Sequence, residues 1–322
     1  MNILVAGGGG YIGTKLCEKL YLKEHYAQAI DLFWFGNHLD SSIDFKTKDI
    51  KNISEHDLRG FDCVIFLGGL SNDPMAEFDP YLNFAYNASL PVYLAYLCKK
   101  AGIPKYIFAS SCSVYGSVKE NQILHEKSKI APHFPYGIAK LQAETALLNM
   151  ANEKFQVISL RKGTIGGYSK RMRFDLVLNA MFASAVKNNV IYVNNPNIWR
   201  PILSVEDACR AYVKCAESDF KKSDIFNLHY GNYTLLNIAQ QIQKYFIDRS
   251  MFVEININQN SDPRSYRLSN KKIKKDLKFY PKIDISNIVH DLYLNCSNVT
   301  FSDDIYNNIN TFKKLKQNDS II

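Results

Sequence analysis

The sequence predicts an α/β fold with a doubly wound parallel sheet and a smaller C-terminal region. Three observations predict it. Through the first half, short apolar runs alternate with helical patterns, the rhythm of βαβ units around a parallel sheet. A run of four glycines, Gly7 to Gly10, joins the first apolar run to the first helical pattern. Beyond Leu160 the alternation gives way to longer irregular links broken by glycine, asparagine and proline, as in Lys162 to Lys170 and Asn194 to Pro201.

The expected strands are Asn2 to Ala6, Ala27 to Asp31, Cys63 to Leu67, Tyr106 to Ser110 and Gln156 to Leu160. Helical stretches are expected from Tyr11, from Pro80 to Lys100 and from Tyr136 to Asn152. The second of these ends at Ala101-Gly102-Ile103-Pro104, a glycine stop followed by a proline. The domain reading is one unit over 1–162 with a return segment at 202–228, and a second region from 163–201 and 229–298. The tail, 299–322, is polar, with Asn307, Asn308 and Asn310 ahead of Lys313, Lys314 and Lys316, and is expected to be a frayed helix or disordered.

Composition narrows the class. The 322 residues are 47% hydrophobic and 22% charged, which is ordinary globular usage with a sizeable core. The seven cysteines, Cys17, Cys63, Cys98, Cys112, Cys209, Cys215 and Cys296, are odd in number and never spaced C-x-x-C. Reduced thiols in the cytosol fit that pattern better than a disulfide framework or a zinc site, so no metal is expected. The start, Met1-Asn2-Ile3-Leu4-Val5-Ala6, lacks the basic lead and long apolar core of a signal peptide. No window approaches the roughly 18 apolar residues of a membrane span. A cytoplasmic protein is expected, with no membrane partner. The net charge of +8 is spread along the chain without a nucleic-acid motif, so a solvated surface is expected and no nucleic-acid partner.

The glycines carry chemistry. Gly7-Gly8-Gly9-Gly10-Tyr11-Ile12-Gly13 satisfies both G-x-G-x-x-G and G-x-x-G-x-x-G, and it stands between an expected strand and an expected helix. Glycine there lets the backbone turn sharply and approach a pyrophosphate, whose charge then sits at the helix N-terminus. This is the Rossmann arrangement for a dinucleotide, and Gly7, Gly10, Tyr11, Ile12 and Gly13 are its expected contacts. Asp31, at the end of the second strand, is the expected acceptor from the ribose hydroxyls; a carboxylate there repels a 2′-phosphate and favours NAD over NADP. The apolar run Leu32-Phe33-Trp34-Phe35 leaves open a later strand end near Asp40. Asp49 and Ile50 follow a short possible strand and are expected near the adenine, while Leu67 and Gly68 would pass close to the cofactor.

Tyr136 and Lys140, four apart at a helix start, project from one face. An ammonium beside a phenol is expected to lower its pKa and make it a general base near neutral pH. With Lys140 also on the cofactor, the pair is expected to serve both chemistry and binding. Ser110-Ser111-Cys112-Ser113-Val114-Tyr115-Gly116 begins at the end of a strand, on the edge where doubly wound sheets bind ligands.

With these motifs in this order, and with Trp199-Arg200-Pro201-Ile202-Leu203-Ser204-Val205-Glu206-Asp207 after them, the chain resembles the extended short-chain dehydrogenase/reductase superfamily, specifically its NAD-dependent epimerase/dehydratase family of sugar-nucleotide enzymes. The resemblance covers about residues 1 to 295. It implies that Ser111 joins Tyr136 and Lys140 as the catalytic group, that NAD is the cofactor, and that a nucleotide-diphosphate sugar is the substrate. It further implies that Arg200 contacts the substrate diphosphate, that Arg264, within Asp262-Pro263-Arg264-Ser265-Tyr266-Arg267, meets the nucleotide, and that Thr164 replaces the usual asparagine near the sugar. Arg171 and Arg173 are read either as reaching phosphates or a charged sugar, or as surface arginines. Lys271 to Lys275 reads as a solvated helix face.

The reaction implied is hydride transfer at a sugar hydroxyl on carbon 4 through a keto intermediate, giving epimerisation or net dehydrogenation. A keto-sugar-nucleotide reductase is the alternative, followed by a 4,6-dehydratase and a non-catalytic NAD-sensing protein. Where 4,6-dehydratases of the family carry Asp and Glu, this chain has Cys112 and Ser113, which argues against water elimination unless Cys112 substitutes; a small buried filler is the simpler role for it. The resemblance also implies a homodimer through the two long helices, where Tyr86, Leu90, Tyr93, Leu94 and Leu97 form a stripe that core packing explains equally well.

Overall fold

The computed structural model describes residues 1–116, 122–258, 265–296, 299–301 and 303–318. In β1 (Asn2–Ala6) the four residues Ile3 to Ala6 are all fully buried, so both faces of the strand are covered and it reads as a continuous apolar run. The glycine turn leads into α1 (Tyr11–Leu22), which turns Leu16, Cys17 and Leu20 inward. Next come β2 (Tyr26–Asp31), the short β3 (Asp44–Thr47) and β4 (Cys63–Phe66). Helices α2 (Asp73–Phe78), α3 (Pro80–Phe84) and α4 (Leu90–Lys100) precede β5 (Lys105–Ser111). A π-helical turn, Ala85–Ser89, joins α3 to α4.

Beyond the two-residue β6 (Ile123–Leu124), α5 (Pro135–Met150) leads to β7 (Gln156–Lys162), and β8 (Thr164–Gly166) follows at once. The rest runs α6 (Val177–Asn188), β9 (Val190–Asn194), β10 (Trp199–Ser204), α7 (Val205–Glu217), β11 (Asp224–Leu228), β12 (Gly231–Thr234), α8 (Leu235–Ile247), β13 (Glu254–Asn258), β14 (Arg267–Leu268), α9 (Lys271–Asp276), α10 (Ile285–Asn295) and α11 (Asn308–Gln317).

Seven strands form one parallel sheet in the order β11-β7-β5-β4-β1-β2-β3. Chain order moves outward from β1 to β3 and then restarts on the other side with β4. The reversal opens a crevice beyond the carboxyl ends of β1 and β4, where open α/β sheets bind ligands. One apolar cluster includes Leu16, Phe182, Tyr212 and Ile242, from α1, α6, α7 and α8. A second, with Leu94, Leu97 and Leu147 from α4 and α5, covers the other face of the sheet.

Several expectations change here. Within the return segment, α7 lies against α1 and β11 completes the large sheet, but β10 instead sits between β8 and β12 in a three-stranded sheet. Of the stripe on the Pro80 to Lys100 helix, Leu90, Leu94 and Leu97 pack in the chain's own core, while Tyr93, with the neighbouring Tyr96, is exposed. Within the polar tail, the described residues 303–318 form a short 3-10 turn and a helix. Asn307 caps α11 by accepting from the Asn310 N–H, and the fully buried Phe312 seats in a small cluster with Leu70 and Met75. The polar composition hid this because one aromatic side chain anchors the segment. All seven cysteines are buried free thiols. Among the described residues no helix is long and apolar enough to cross a membrane, and no cluster of His, Cys, Asp or Glu is arranged to hold a metal.

Candidate active site

At the crevice, Gly7 adopts φ +88°, and a Cβ there would stand 2.4 Å from the Gly68 backbone nitrogen. The two chain segments can approach this closely because Gly7 carries no side chain. Gly13 makes the same close passage on the helix side, where a Cβ would lie 2.3 Å from the Gly7 carbonyl oxygen. β2 ends at Asp31, not near Asp40; Asp40 is exposed and pairs with Lys170. The Asp31 carboxylate accepts from the Gly9 N–H at 3.0 Å and from the Phe33 N–H at 2.8 Å. Burial raises its pKa, and these backbone donors together with the nearby Arg171 work against that rise.

A cleft of about 470 Å³ runs from this turn across the sheet edge. Gly7, Gly10, Tyr11, Ile12, Gly13 and Asp31 line one end of it, with Asp49, Ile50, Leu67 and Gly68. Ser111, Tyr136, Lys140, Thr164 and Arg200 line the same cleft. Arg264 lies outside the described residues.

Ser111 terminates β5 and accepts from the Ser113 N–H at 3.1 Å, which fixes its hydroxyl at the sheet edge. Its hydroxyl donates to the Ser113 hydroxyl at 3.1 Å and lines the same cleft as Tyr136. Tyr136 enters on the first turn of α5, just after Pro135, which suits the first helical position. One turn on, the buried Lys140 places its ammonium 5.8 Å from the Tyr136 ring centroid and 5.0 Å from that of Phe108. The expected lowering of the phenol does not appear. Burial pushes the Tyr136 phenol up, Asp73 and Cys112 add to the rise, and Ser111 and Arg173 oppose it. Burial, with Lys162 nearby, also holds the Lys140 ammonium well below its ordinary value. Desolvation outweighs the ammonium–phenol attraction at this site.

The anchor of this helix lies one turn further along. Glu144, fully buried, receives Arg161 through Nε and Nη2 and the Ser159 hydroxyl at 2.8 Å. Arg161 also donates to the Tyr115 hydroxyl at 2.9 Å, which in turn donates to Asn227 at 2.7 Å. The tyrosine of the Val114-Tyr115-Gly116 segment is therefore a structural bracket between β5, β7 and β11. Asn83 donates to the Pro135 carbonyl and accepts from Asn87, which also donates to the Leu70 carbonyl, so the π turn ties the Tyr136 helix to the loop after β4.

Cys112 is buried in a cluster with Tyr266, and burial pushes its thiol up to about 11. Arg200 lies over the Tyr266 ring at 5.7 Å. Arg171 and Arg173, for which a surface position was one of two readings, are both buried in the cleft wall. Arg173 forks onto Asp175 with bonds of 2.9 and 2.7 Å.

A family model described as the NAD dependent epimerase/dehydratase family matches residues 3–228. The chain belongs to that family. An uncharacterized UDP-glucose epimerase of Bacillus subtilis (strain 168) is 29% identical over 204 residues, covering 56% of this chain and 61% of the relative. UDP-glucose 4-epimerase 3 of Oryza sativa subsp. japonica is 24% identical over 330 residues, covering 90% of this chain and 88% of the relative. Among solved structures, UDP-glucuronic acid 4-epimerase from Bacillus cereus in complex with UDP-glucuronic acid and NAD superposes with TM-score 0.80 at 22% identity, over 91% of this chain and 98% of that one.

The family model ends at residue 228, yet the cleft also takes its wall from Tyr266 and Asn308. Sequence reading missed Trp34, Phe35, Asp73, Lys162, Tyr266 and Asn308 as cleft residues. Lys162 was open to detection, being a cation at the end of an apolar strand; its ammonium donates to the Ser110 carbonyl at 3.0 Å, and burial lowers its pKa to about 8. Asn308 sits in a polar run with nothing to set it apart.

Proposed function

We propose that this family member is an NAD-dependent nucleotide-sugar epimerase or dehydrogenase that oxidises the hydroxyl on carbon 4 of the sugar, with Tyr136 as base. The convergence of Ser111, Tyr136 and the buried Lys140 on the same cleft as the glycine turn, with the Lys140 ammonium 5.8 Å from the Tyr136 ring centroid, carries this reading. The residues present fit the dinucleotide: the turn admits backbone contact where a Cβ would collide, and Asp31 presents a carboxylate at the strand end. Bound NAD supplies the hydride acceptor.

In the loaded cleft Tyr136 acts as base in its phenolate form, its own proton having gone to solvent; the phenolate takes the hydroxyl proton, and Ser111 holds the same hydroxyl by hydrogen bonding so that this proton points at the phenolate oxygen. Lys140 contributes positive charge that favours the phenolate before it takes the proton, in a desolvated setting where charge counts for more. Gly7, Gly10, Tyr11, Ile12 and Gly13 cradle the pyrophosphate; Asp31 takes the ribose hydroxyls; Asp49, Ile50, Leu67 and Gly68 flank the rest of the cofactor. Thr164 and Arg200 face the sugar and its diphosphate, and 163–201 with 229–298 form the substrate region. The UDP-glucose epimerase names of the curated relatives support a UDP-sugar. Elimination of water is the poorer reading, because Cys112 keeps its proton in a buried contact with Tyr266 and no Asp-Glu pair stands beside it.

The reading includes a cytoplasmic homodimer. Seven buried free thiols support a reducing compartment, and Tyr81, Tyr93 and Tyr96, exposed along α3 and α4, supply an apolar face for a second copy. Incubation with UDP-, GDP-, CDP- and dTDP-sugars, followed by mass spectrometry and NADH absorbance, tests the activity. An isomer of unchanged mass means epimerisation, and loss of two hydrogens with NADH means dehydrogenation. Loss of water, or no turnover with any sugar nucleotide, would overturn the reading.

A further inference from the structure

The wall of the cleft that contains the glycine turn holds a buried cation without an ion pair of its own among the described residues. Arg171 is 2% exposed, and its guanidinium lies 4.0 Å from the centroid of the Phe35 ring. Its Nη1 donates to the Met172 carbonyl at 3.3 Å and its Nη2 to the Asn308 side-chain oxygen at 2.5 Å. Its Nε is buried with no hydrogen-bond partner. Such an orphan is unusual, because a buried donor left unpaired costs roughly 1–3 kcal/mol and more when charged. The neighbouring Arg173 is neutralised by Asp175, whereas Arg171 makes no ion pair of its own among the described residues. It lines the same cleft as Tyr11 and Asp31; burial and the neighbouring Arg173 depress its guanidinium, while Asp175 and Asp31 work against that, and Arg200 lies instead over the Tyr266 ring.

We propose that Arg171 is the cation that holds the pyrophosphate of the dinucleotide, and that α11 completes this site by fixing the guanidinium through Asn308. The proposal rests on the dinucleotide reading above. A guanidinium presents its N–H groups in a planar fork suited to phosphate oxygens. Phe35 sets the plane of that fork, and Met172 and Asn308 take one N–H each of Nη1 and Nη2, which leaves the Nε N–H and the second N–H of each Nη for an anion in the cleft that Arg171 lines. Adjacent Asp31 makes a 2′-phosphate the wrong ligand and leaves the pyrophosphate as the anion within the dinucleotide. Asn308 is itself held: its amide donates to the Ser71 hydroxyl at 2.7 Å, it is 4% exposed, and one turn on Phe312 is sunk beside Leu70 and Met75. The segment after residue 303 thus acts as a positioning element for a residue on the far side of the fold.

Calorimetric titration of the full chain with NAD, ADP-ribose and UDP tests this in the wild type, Arg171→Met, Asn308→Ala and the double variant, with circular dichroism as a check on folding. Arg171→Met is expected to weaken NAD and ADP-ribose by roughly ten- to a hundredfold, the weight of a charge-assisted hydrogen bond, and to leave UDP unchanged. Asn308→Ala is expected to weaken the same two ligands a few-fold and to add nothing in the Arg171→Met background; a merely structural asparagine would lower affinity in both backgrounds. Unchanged NAD affinity in a folded Arg171→Met protein would overturn the proposal, as would loss of UDP affinity with NAD intact, which moves the guanidinium to the substrate diphosphate. A wild type that binds neither NAD nor ADP-ribose would instead sink the dinucleotide reading and this one with it.

Discussion

Glu144 offers the sharpest test of how the catalytic helix is held. Its carboxylate and the Arg161 guanidinium are each about 1% exposed, and the pair is supported by Ser159 and Tyr115. Glu144→Ala leaves Arg161 charged, buried and without its counter-ion. Breaking a buried pair by removing one partner costs about 3–5 kcal/mol, a large part of the 5–15 kcal/mol that holds a typical domain together. Replacing both partners with apolar side chains, Glu144→Leu with Arg161→Met, removes the stranded charge as well. The double variant is therefore expected to regain at least half of what the single one loses, although Tyr115 keeps only Asn227 as a partner. Urea unfolding followed by far-ultraviolet circular dichroism measures all three proteins. A Glu144→Ala loss below about 1 kcal/mol, or a double variant no more stable than the single, would show that the carboxylate is not the counter-ion on which α5 depends.

Gly7→Ala is expected to destabilise the protein by at least about 1–2 kcal/mol, since φ +88° and the 2.4 Å approach to Gly68 both exclude a Cβ, and to abolish NAD binding; an unchanged melting temperature would contradict this. Phe312→Ala should release α11, because losing a buried phenylalanine costs about 3–5 kcal/mol and a ten-residue helix is marginal alone. Hydrogen exchange should then accelerate over 308–317 while the central sheet keeps its protection; unaltered protection in α11 would refute it. In the free protein Tyr136 should stay protonated beyond the ordinary phenol value near pH 10, because burial raises it. A phenolate absorbance band between pH 6 and 8 that vanishes in Tyr136→Phe would contradict that. The sign for stability follows: the folded chain holds this proton more tightly than the unfolded one, so its contribution is complete below about pH 10 and is lost as the pH climbs past it.

β1, β4, β5 and β7 were legible because they are buried on both faces, and a run such as Ile3 to Ala6 has no other common reading, whereas β3, exposed along its length, showed only as a short possible strand. The glycine turn was legible for a related reason: a steric demand for a missing Cβ can be met by only one residue type. What stayed hidden depends on long-range contact. Nothing around Arg171 distinguishes a buried arginine from a solvated one until Phe35 and Asn308 are brought to it from 136 residues before and 137 after. The π turn was equally silent, since a 3.6-residue pattern runs through Ala85–Ser89 without interruption; two asparagines four apart in an apolar helix, Asn83 and Asn87, were its only trace. Phenol acidity was misjudged because neighbouring charge can be read from spacing, whereas desolvation cannot.

The seven thiols have a practical consequence. Each is buried, and burial raises the pKa of every one, from Cys112 at about 11 to Cys17, Cys63 and Cys215 at about 12, so little thiolate is present near neutrality. An alkylating reagent must then wait for the structure to open, and the order in which the seven cysteines are modified gives a map of local opening written by the chain itself. Cys112 alone among them lines the cleft, so its labelling clock runs on access to that cleft, and the other six keep time for the core.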